Sequence, residues 1–264
     1  MKTIRLIICI IVTVAGLACR QAGAQQPGGS ISIKVAAAAD LQFALGEVSA
    51  TFAKENPGMT VSPAYGSSGV LATQIQNGAA YDLFLSADAK YPMQLVEAKA
   101  ADASTVFNYA VGRLVIWVPK GSPLDVEKLG AKALLDPAAR KIAIANPKHA
   151  PYGKAAVAAL KTLGIYDQVA PRLVLGENIA QTAQFVESGA ADAGIIALSL
   201  AIAPAMKDKG SYWTVPLTAY PQLLQAGVVP LSAAHPQQAK ALVAFLQSAA
   251  GRAILDRYGF QLPQ

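Results

Sequence analysis

Hydrophobic and polar positions follow two different periods along the chain, and their alternation predicts a series of strands and helices. A continuous apolar run at residues 31–38 predicts a buried strand, and apolar side chains then recur at the helical period from Leu41 to Phe52. The same succession of strand and helix is predicted at 60–77 and again at 81–98. Repeated strand–helix units favour an α/β fold, with a mostly parallel sheet and helices on its faces.

A second α/β unit is predicted after the apolar run 111–119, which we interpret as the strand that leaves the first unit. Helices at 154–163 and near 198–206 are predicted within this second unit. If the apolar run 223–230 pairs with the first sheet, two strands connect two lobes and leave a cleft between them. The predicted division is residues 25–109 and 223–264 for the first lobe and residues 110–222 for the second.

Residues 1–24 have the composition of a cleavable signal peptide. Lys2 and Arg5 precede an apolar stretch that is short for a membrane span, and Ala22 and Ala24 occupy the small-residue positions before a cleavage site. Cleavage would leave Gln25 as the N-terminus of an exported, periplasmic protein.

Both cysteines of the sequence, Cys9 and Cys19, belong to this segment. The mature chain therefore has no disulfide, and a hydrophobic core must stabilise it. Anchoring as a lipoprotein through Cys19 is the alternative to cleavage after Ala24.

The positive charge of the sequence does not indicate a nucleic-acid partner. The net charge of +6 includes Lys2, Arg5 and Arg20, so the chain after residue 24 carries +3. These charges are scattered, and no basic stripe with interleaved aromatic residues is present.

The junction between the second predicted strand and its helix has the composition of an anion-binding turn. Gly66 and Gly69 allow backbone torsions that other residues avoid, and Ser67 and Ser68 are preferred residues at a helix N-cap. The first turn of a helix offers unpaired N–H groups and the positive end of the helix dipole. For one such junction alone, an ordinary capped helix is the preferred explanation.

Four strand-to-helix junctions of this kind are predicted, two in each lobe: Ala39-Asp40, Gly66-Ser67-Ser68, Pro151-Tyr152-Gly153 and Asn178-Ile179-Ala180. In α/β sheets such junctions lie at the carboxyl ends of the strands, where ligands bind. None of the junction residues is basic, and we interpret Lys148, His149 and Lys154 as solvated. The four junctions together predict a site for a small oxyanion in the cleft.

Five motifs identify a family resemblance: 35–41 (VAAAADL), 66–69 (GSSG), 81–88 (YDLFLSAD), 146–153 (NPKHAPYG) and 257–260 (RYGF). Over about residues 31–260 the sequence resembles the periplasmic molybdate-binding proteins of ABC transporters. The resemblance implies a two-lobed periplasmic binding protein fold of type II, with the ligand cleft between the lobes. It also implies capture of molybdate or tungstate for an inner-membrane permease. A monomer without a cofactor is expected, and the anion is bound as a whole, without protein ligands to the metal.

The ligand positions of that family fall on Asp40, Ser68, Tyr152, Ile179 and Ala197. The resemblance assigns a hydroxyl donor to Ser68 and backbone donors to Tyr152 and Ile179, and Ala39 and Ser67 complete the predicted site. Two positions depart from the family pattern, because relatives commonly have serine at the position of Asp40 and some use a tyrosine hydroxyl at that of Ala197.

Asp40 allows two interpretations, and we prefer the first because the residue directly precedes a predicted helix. As an N-cap, its carboxylate accepts the N–H groups of Gln42 or Phe43. As a hydrogen-bond acceptor in the cleft, it favours protonated phosphate over molybdate, since molybdate offers no proton. The same fold binding phosphate, sulfate or another small anion is therefore the alternative ligand hypothesis.

An exported hydrolase is the alternative of another class, although no enzyme activity is predicted. The segment 66–69 is one residue too short for the Gly-x-Ser-x-Gly elbow, and the sequence contains only two histidines, His149 and His235. Metal-ligand spacings of histidine and cysteine are also missing from the mature sequence.

Overall fold

A computed structural model describes residues 30–263, which form two five-stranded sheets with helices around them. The strands are β1 (Ile31–Ala38), β2 (Met59–Gly66), β3 (Leu83–Ser86), β4 (Phe107–Gly112), β5 (Leu114–Pro119), β6 (Ile142–Ala145), β7 (Leu173–Gly176), β8 (Ala193–Ala197), β9 (Gly210–Thr214) and β10 (Leu223–Val228). The helices are α1 (Gln42–Glu55), α2 (Ser68–Gln76), α3 (Lys90–Glu97), α4 (Val126–Leu129), α5 (Pro151–Thr162), α6 (Tyr166–Val169), α7 (Ile179–Glu187), α8 (Leu198–Ala201), α9 (Pro236–Gln247) and α10 (Ala249–Arg257). The predicted signal peptide and both cysteines, Cys9 and Cys19, lie outside the described residues.

The first sheet has the strand order β2-β1-β3-β10-β4. Strand β1 pairs in parallel with β2 and β3, whereas β10 is antiparallel to both of its neighbours. Pro63 lies in β2, which is an edge strand, and an edge strand tolerates a residue that has no N–H to donate. We call the part of the chain built on this sheet lobe 1.

The second sheet, the basis of lobe 2, has the order β7-β6-β8-β5-β9. Strand β6 is parallel to β7 and β8, and β5 is antiparallel to β8 and β9. The two sheets therefore repeat one pattern, in which only the fourth strand runs against the others. This is the mostly parallel α/β architecture that the alternating hydrophobic pattern predicts.

The prediction of one strand at 111–119 is wrong, because this run contains parts of two strands. Strand β4 ends at Gly112 in the first sheet, and β5 begins at Leu114 in the second. The chain thus crosses between the lobes at Arg113, later than the predicted boundary at 109/110. The return to lobe 1 is complete at Leu223, where β10 begins. The strand residues next to Arg113 on both sides are buried and apolar, so the hydrophobic pattern did not separate the two strands.

Helix α5 begins at Pro151, three residues earlier than the predicted helix at 154–163. Proline suits the first turn of a helix because its missing N–H has no acceptor there. Gly153 lies in this first turn, and a Cβ at this position would lie 2.0 Å from the carbonyl oxygen of Ala145. The glycine therefore lets α5 begin directly against the end of β6. The helix predicted near 198–206 is also shorter than expected and ends at Ala201.

Three hydrophobic clusters stabilise the lobes, and the largest of them contains residues of both. Two clusters cover the two faces of the first sheet, one beneath α1, α9 and α10 and the other beneath α2 and α3. The largest surrounds the second sheet and also includes Ala38, Ala39 and Ala87 of lobe 1, beside Tyr152 and Ile179 of lobe 2. The lobes are thus closed upon each other.

Candidate functional site

A small cavity lies between the lobes, where four strands end and helices begin. The residues around it are Ala38, Ala39, Asp40, Gly66, Ser67, Ser68, Ala87, Ala150, Pro151, Tyr152 and Ile179. The structure thus brings together all six residues that the sequence singles out: Ala39, Asp40, Ser67, Ser68, Tyr152 and Ile179. The cavity volume of about 10 Å³ is near that needed for one water molecule, so the cavity between the closed lobes excludes large ligands.

Two larger depressions on the surface do not involve these junctions. One, of about 360 Å³, lies beside Lys120 and Arg140, and the other, of about 760 Å³, lies beside Gln222 and Gln261. Both are open to solvent, and no helix N-terminus of the four junctions lines either of them. We therefore place the candidate site in the small interlobe cavity, on the ground of its converging donors rather than its size.

Backbone N–H groups reach the cavity from both lobes. Ser68 is the first residue of α2, Tyr152 the second of α5 and Ile179 the first of α7. Such positions have no intrahelical acceptor, and within residues 30–263 the N–H groups of Tyr152 and Ile179 have no other acceptor either. In α7 the side chain of Asn178 accepts the next two N–H groups, of Ala180 and Gln181, which leaves the N–H of Ile179 to the cavity.

The hydroxyl of Ser68 is held in place as a donor. Its Oγ accepts the N–H of Ala87 at 2.9 Å, and the side chain is buried. The hydroxyl hydrogen has no acceptor among the described residues, so it is free to bond to a ligand in the cavity. The prediction that either serine caps α2 through its side chain is wrong, because the N-cap residue Ser67 makes no such bond.

Ser67 instead bonds across the cleft to lobe 2. Its Oγ lies 2.7 Å from Nδ1 of His149. The carbonyl oxygen of His149 also accepts the N–H of Gly69 at 3.0 Å and the hydroxyl of Tyr91 at 3.4 Å. Lys154 donates to the hydroxyl of Tyr91 at 3.0 Å. The interpretation of His149 and Lys154 as solvated is therefore wrong, since both contribute to contacts between the lobes.

Asp40 is not a helix cap, and this corrects the preferred interpretation of its position. It lies in a 3-10 turn, Ala39–Leu41, and neither this turn nor α1 has a side-chain cap. Its Oδ2 accepts hydrogen bonds from the Tyr152 hydroxyl at 2.9 Å and from Nε2 of Gln225 at 2.5 Å. Its other oxygen, Oδ1, is buried without a partner in the described structure.

Burial controls the electrostatics of the cavity. Loss of hydration raises the pKa of Asp40 to about 6, against the opposing effect of the hydrogen bonds from Gln225 and Tyr152. Burial and the neighbouring Asp40 carboxyl raise the pKa of Tyr152 well above its ordinary value, so its hydroxyl remains a donor. No lysine or arginine is among the cavity residues. Polar N–H and O–H groups, rather than cations, are therefore available to an anion.

Sequence reasoning missed three residues of this region: Gln225, Tyr91 and, as an interlobe contact, His149. Gln225 is 185 residues from Asp40 in the sequence. No local pattern indicates that these two side chains meet. The remaining predicted position, Ala197, is buried at the end of β8 and does not line the cavity. In residues 30–263 no three His, Cys, Asp or Glu side chains are grouped as metal ligands.

Comparison with known proteins identifies the family. Residues 33–261 match the family described as bacterial extracellular solute-binding protein. The molybdate-binding protein ModA of Rhodobacter capsulatus is 37% identical over 238 residues, which are 90% of this chain and 91% of that protein. ModA of Azotobacter vinelandii is 36% identical over 230 residues, covering 87% and 90% of the two chains.

A solved structure supports the same assignment. The periplasmic molybdate-binding protein of Azotobacter vinelandii superimposes with a TM-score of 0.82 at 35% sequence identity, over 88% of this chain and all of that one. The two-lobed fold and the family resemblance predicted from the sequence are both confirmed. The chain belongs to the family of bacterial extracellular solute-binding proteins.

Proposed function

We propose that this protein captures molybdate or tungstate in its interlobe cavity and delivers the anion to the permease of an ABC transporter. The observation that carries the proposal is the convergence of donors from two lobes on a small buried cavity without a cation. The proposed ligands are the Ser68 hydroxyl and the N–H groups of Tyr152 and Ile179, and Ala39, Asp40 and Ser67 form the adjoining wall. The closely related ModA proteins are named for molybdate.

The chemistry of the cavity favours a fully deprotonated tetrahedral oxyanion. Helix N-termini supply N–H donors and partial positive charge, which suit an anion in a water-excluded site. The small volume argues against sugars, peptides and amino acids. Phosphate or sulfate is the alternative ligand, and the unpartnered Oδ1 of Asp40 is the observation that favours phosphate, since a carboxylate there could accept its remaining proton.

The anion-binding proposal is tested by calorimetry and thermal denaturation with molybdate, tungstate, sulfate, phosphate and a panel of esters. We expect molybdate and tungstate to bind with micromolar or higher affinity, about −8 kcal/mol or better. A hundredfold excess of anion over its dissociation constant should then stabilise the fold by about 2.7 kcal/mol. Chelators should have no effect. If neither anion releases heat or raises the melting temperature, the proposal is wrong, and turnover of an ester would support the hydrolase alternative.

Delivery to a permease requires export, which we propose to proceed through cleavage after Ala24. Among residues 30–263 no helix is long and apolar enough to cross a membrane. We expect the intact mass of the protein from the periplasm to correspond to a monomer beginning at Gln25. A diacylglyceryl group on Cys19 would contradict this expectation and would indicate a membrane-anchored lipoprotein instead.

A further inference from the structure

The carboxyl group of Asp40 has two oxygens in very different surroundings. The residue is only 1% exposed and forms part of the cavity wall. Its Oδ2 accepts two hydrogen bonds, from Tyr152 of lobe 2 and from Gln225 of lobe 1. Its Oδ1 is buried without a partner in the described structure. An unpartnered buried oxygen costs free energy, so this arrangement is costly unless a ligand or a proton completes it.

An ionised Asp40 would oppose the binding of a doubly negative anion. Like charges that share a water-excluded site repel strongly, and the described structure has no salt bridge from Lys or Arg to Asp40 that would offset the repulsion. A neutral carboxylic acid removes this repulsion. Because both hydrogen bonds go to Oδ2, the acid proton has its place on Oδ1, the oxygen without a partner.

We propose that Asp40 is a neutral acid in the anion complex and donates its Oδ1–H to an oxygen of the bound oxyanion, so that binding takes up one proton. This inference rests on the proposed function and concerns the same site. The proton comes from solvent and stays covalently bound to Oδ1, and no bond of the anion is broken. Asp40 would thereby select anions that bring no proton of their own.

The ionisable side chains that interact with Asp40 are tyrosines, and His149 bonds to Ser67 instead. Tyr152 and Tyr109 are the neighbours that feel its charge, and burial together with that charge raises the pKa of both well above the ordinary range. On β2, burial raises the pKa of Tyr65 to about 12. These tyrosines stay protonated near neutral pH.

The helices packed against the 3-10 turn of Asp40 carry few charges. In α1, Glu47 is paired with Arg257, and Lys54 and Glu55 lie in the last turn, away from Asp40. In α7, Glu187 is paired with Lys209 at the far end of the helix. Helix α8 contains no ionisable residue, and its Ser199 donates to the carbonyl oxygen of Asp40.

The sign of the pH dependence follows from the raised pKa of Asp40. Burial in the closed structure raises this pKa to about 6, and a bound dianion raises it further because it favours the neutral acid. The complex then holds a proton that the free protein has lost. Affinity should be fully present below the pKa of the free protein and should decline as pH rises above it. At most, the affinity falls tenfold for each unit of pH.

The wild-type protein alone provides the first test. Molybdate binding is measured by calorimetry from about pH 6 to about pH 8.5, in pairs of buffers that differ in ionisation enthalpy and contain no oxyanion. We expect uptake of close to one proton, and an affinity that falls by up to tenfold per pH unit. Binding without proton uptake and without pH dependence would overturn this inference and leave the proposed function intact. Absence of molybdate binding at every pH would overturn both.

Asp40→Asn provides the second test, since its amide can keep the acceptor for Tyr152 and Gln225 while placing an NH₂ donor at the position of Oδ1. We expect molybdate binding that is independent of pH and at least as tight as that of the wild type at about pH 8. Asp102→Asn is the matched control, because Asp102 is not among the cavity residues and caps a short 3-10 helix of lobe 1. The affinity of this control for molybdate should depend on pH as that of the wild type does. The inference is wrong if the affinity of Asp40→Asn for molybdate still falls as pH rises. It is also wrong if the wild type prefers phosphate and this variant has lost that preference.

Discussion

Replacing Ser68 with alanine is expected to weaken molybdate binding by roughly ten- to a hundred-fold. A hydroxyl that donates to an anion in a closed cleft makes a charge-assisted hydrogen bond of about 1.5–3 kcal/mol. In this protein the N–H of Ala87 fixes the hydroxyl as a donor by occupying one lone pair of Oγ. The variant also leaves that N–H without its acceptor, so a loss of about 1 kcal/mol in the free energy of unfolding is expected as well.

The neighbouring serine supplies the control for this experiment. Ser67→Ala removes the same number of atoms, but the hydroxyl of Ser67 bonds to His149 rather than facing the cavity alone. We expect it to weaken binding by only a few-fold, through the loss of one contact between the lobes. Titration calorimetry of both variants at one pH separates the two roles. Equal affinities of Ser68→Ala and the wild type would remove Ser68 from the proposed ligands.

Gly69→Ala is expected to keep the lobes from closing and to lower the apparent affinity for molybdate about ten- to a hundred-fold. A Cβ on Gly69 would lie 2.7 Å from the carbonyl oxygen of His149 in the opposite lobe and 3.0 Å from the hydroxyl of Tyr91. The backbone oxygen cannot move aside as a flexible side chain does, so the contact forces the lobes apart. Overpacking of this kind costs about 1–3 kcal/mol, and it acts on the closed state alone.

Small-angle X-ray scattering measures the closure directly. In the wild type, molybdate should reduce the radius of gyration, and in Gly69→Ala this reduction should be smaller or missing. Gly46→Ala is the matched control, because a Cβ in the middle of α1 would meet no atom within 4 Å. It should bind and close like the wild type, with about 0.5–1 kcal/mol of added stability. Normal closure and affinity in Gly69→Ala would contradict the proposed role of this contact.

These two expectations describe different steps of one binding event. In the proposed complex Ser68 contacts the anion, whereas Gly69 lies one residue further along α2 and contacts the other lobe. On this proposal, the first turn of α2 combines ligand recognition with closure. A change that displaces this turn should affect both the affinity and the scattering profile, and a change confined to the Ser68 hydroxyl should affect the affinity alone.

The sequence also singles out Gly69, but the structure gives a different physical reason for a glycine at this position. The sequence suggests that Gly66 and Gly69 supply unusual torsions, but neither has a positive φ angle. What Gly69 provides is the absence of a side chain where two lobes meet. A local pattern does not contain this information, because the partner atom belongs to a residue far away in the sequence.

The hydrophobic pattern by itself determined the α/β class, the succession of strands and helices and the position of the four junctions. It could do so because burial on a sheet face and on a helix stripe imposes different periods on neighbouring residues. Since parallel strands place their carboxyl ends at one edge of a sheet, the six candidate residues could also be expected at one site. The structure places all six around the same cavity.

Tertiary structure decided what the polar side chains of that cavity bond to. An N-cap contributes about 1 kcal/mol, and Asp40 forgoes it for two hydrogen bonds in a buried setting, from Tyr152 and Gln225. Ser67 occupies the N-cap position of α2, but its hydroxyl bonds to His149 instead of capping the helix. In both cases the partner is distant in sequence, and the low dielectric of the closed cleft makes the long-range bond the stronger one. Local preferences therefore placed these residues at the site, and the packing of the two lobes fixed their partners and the proton affinity of Asp40.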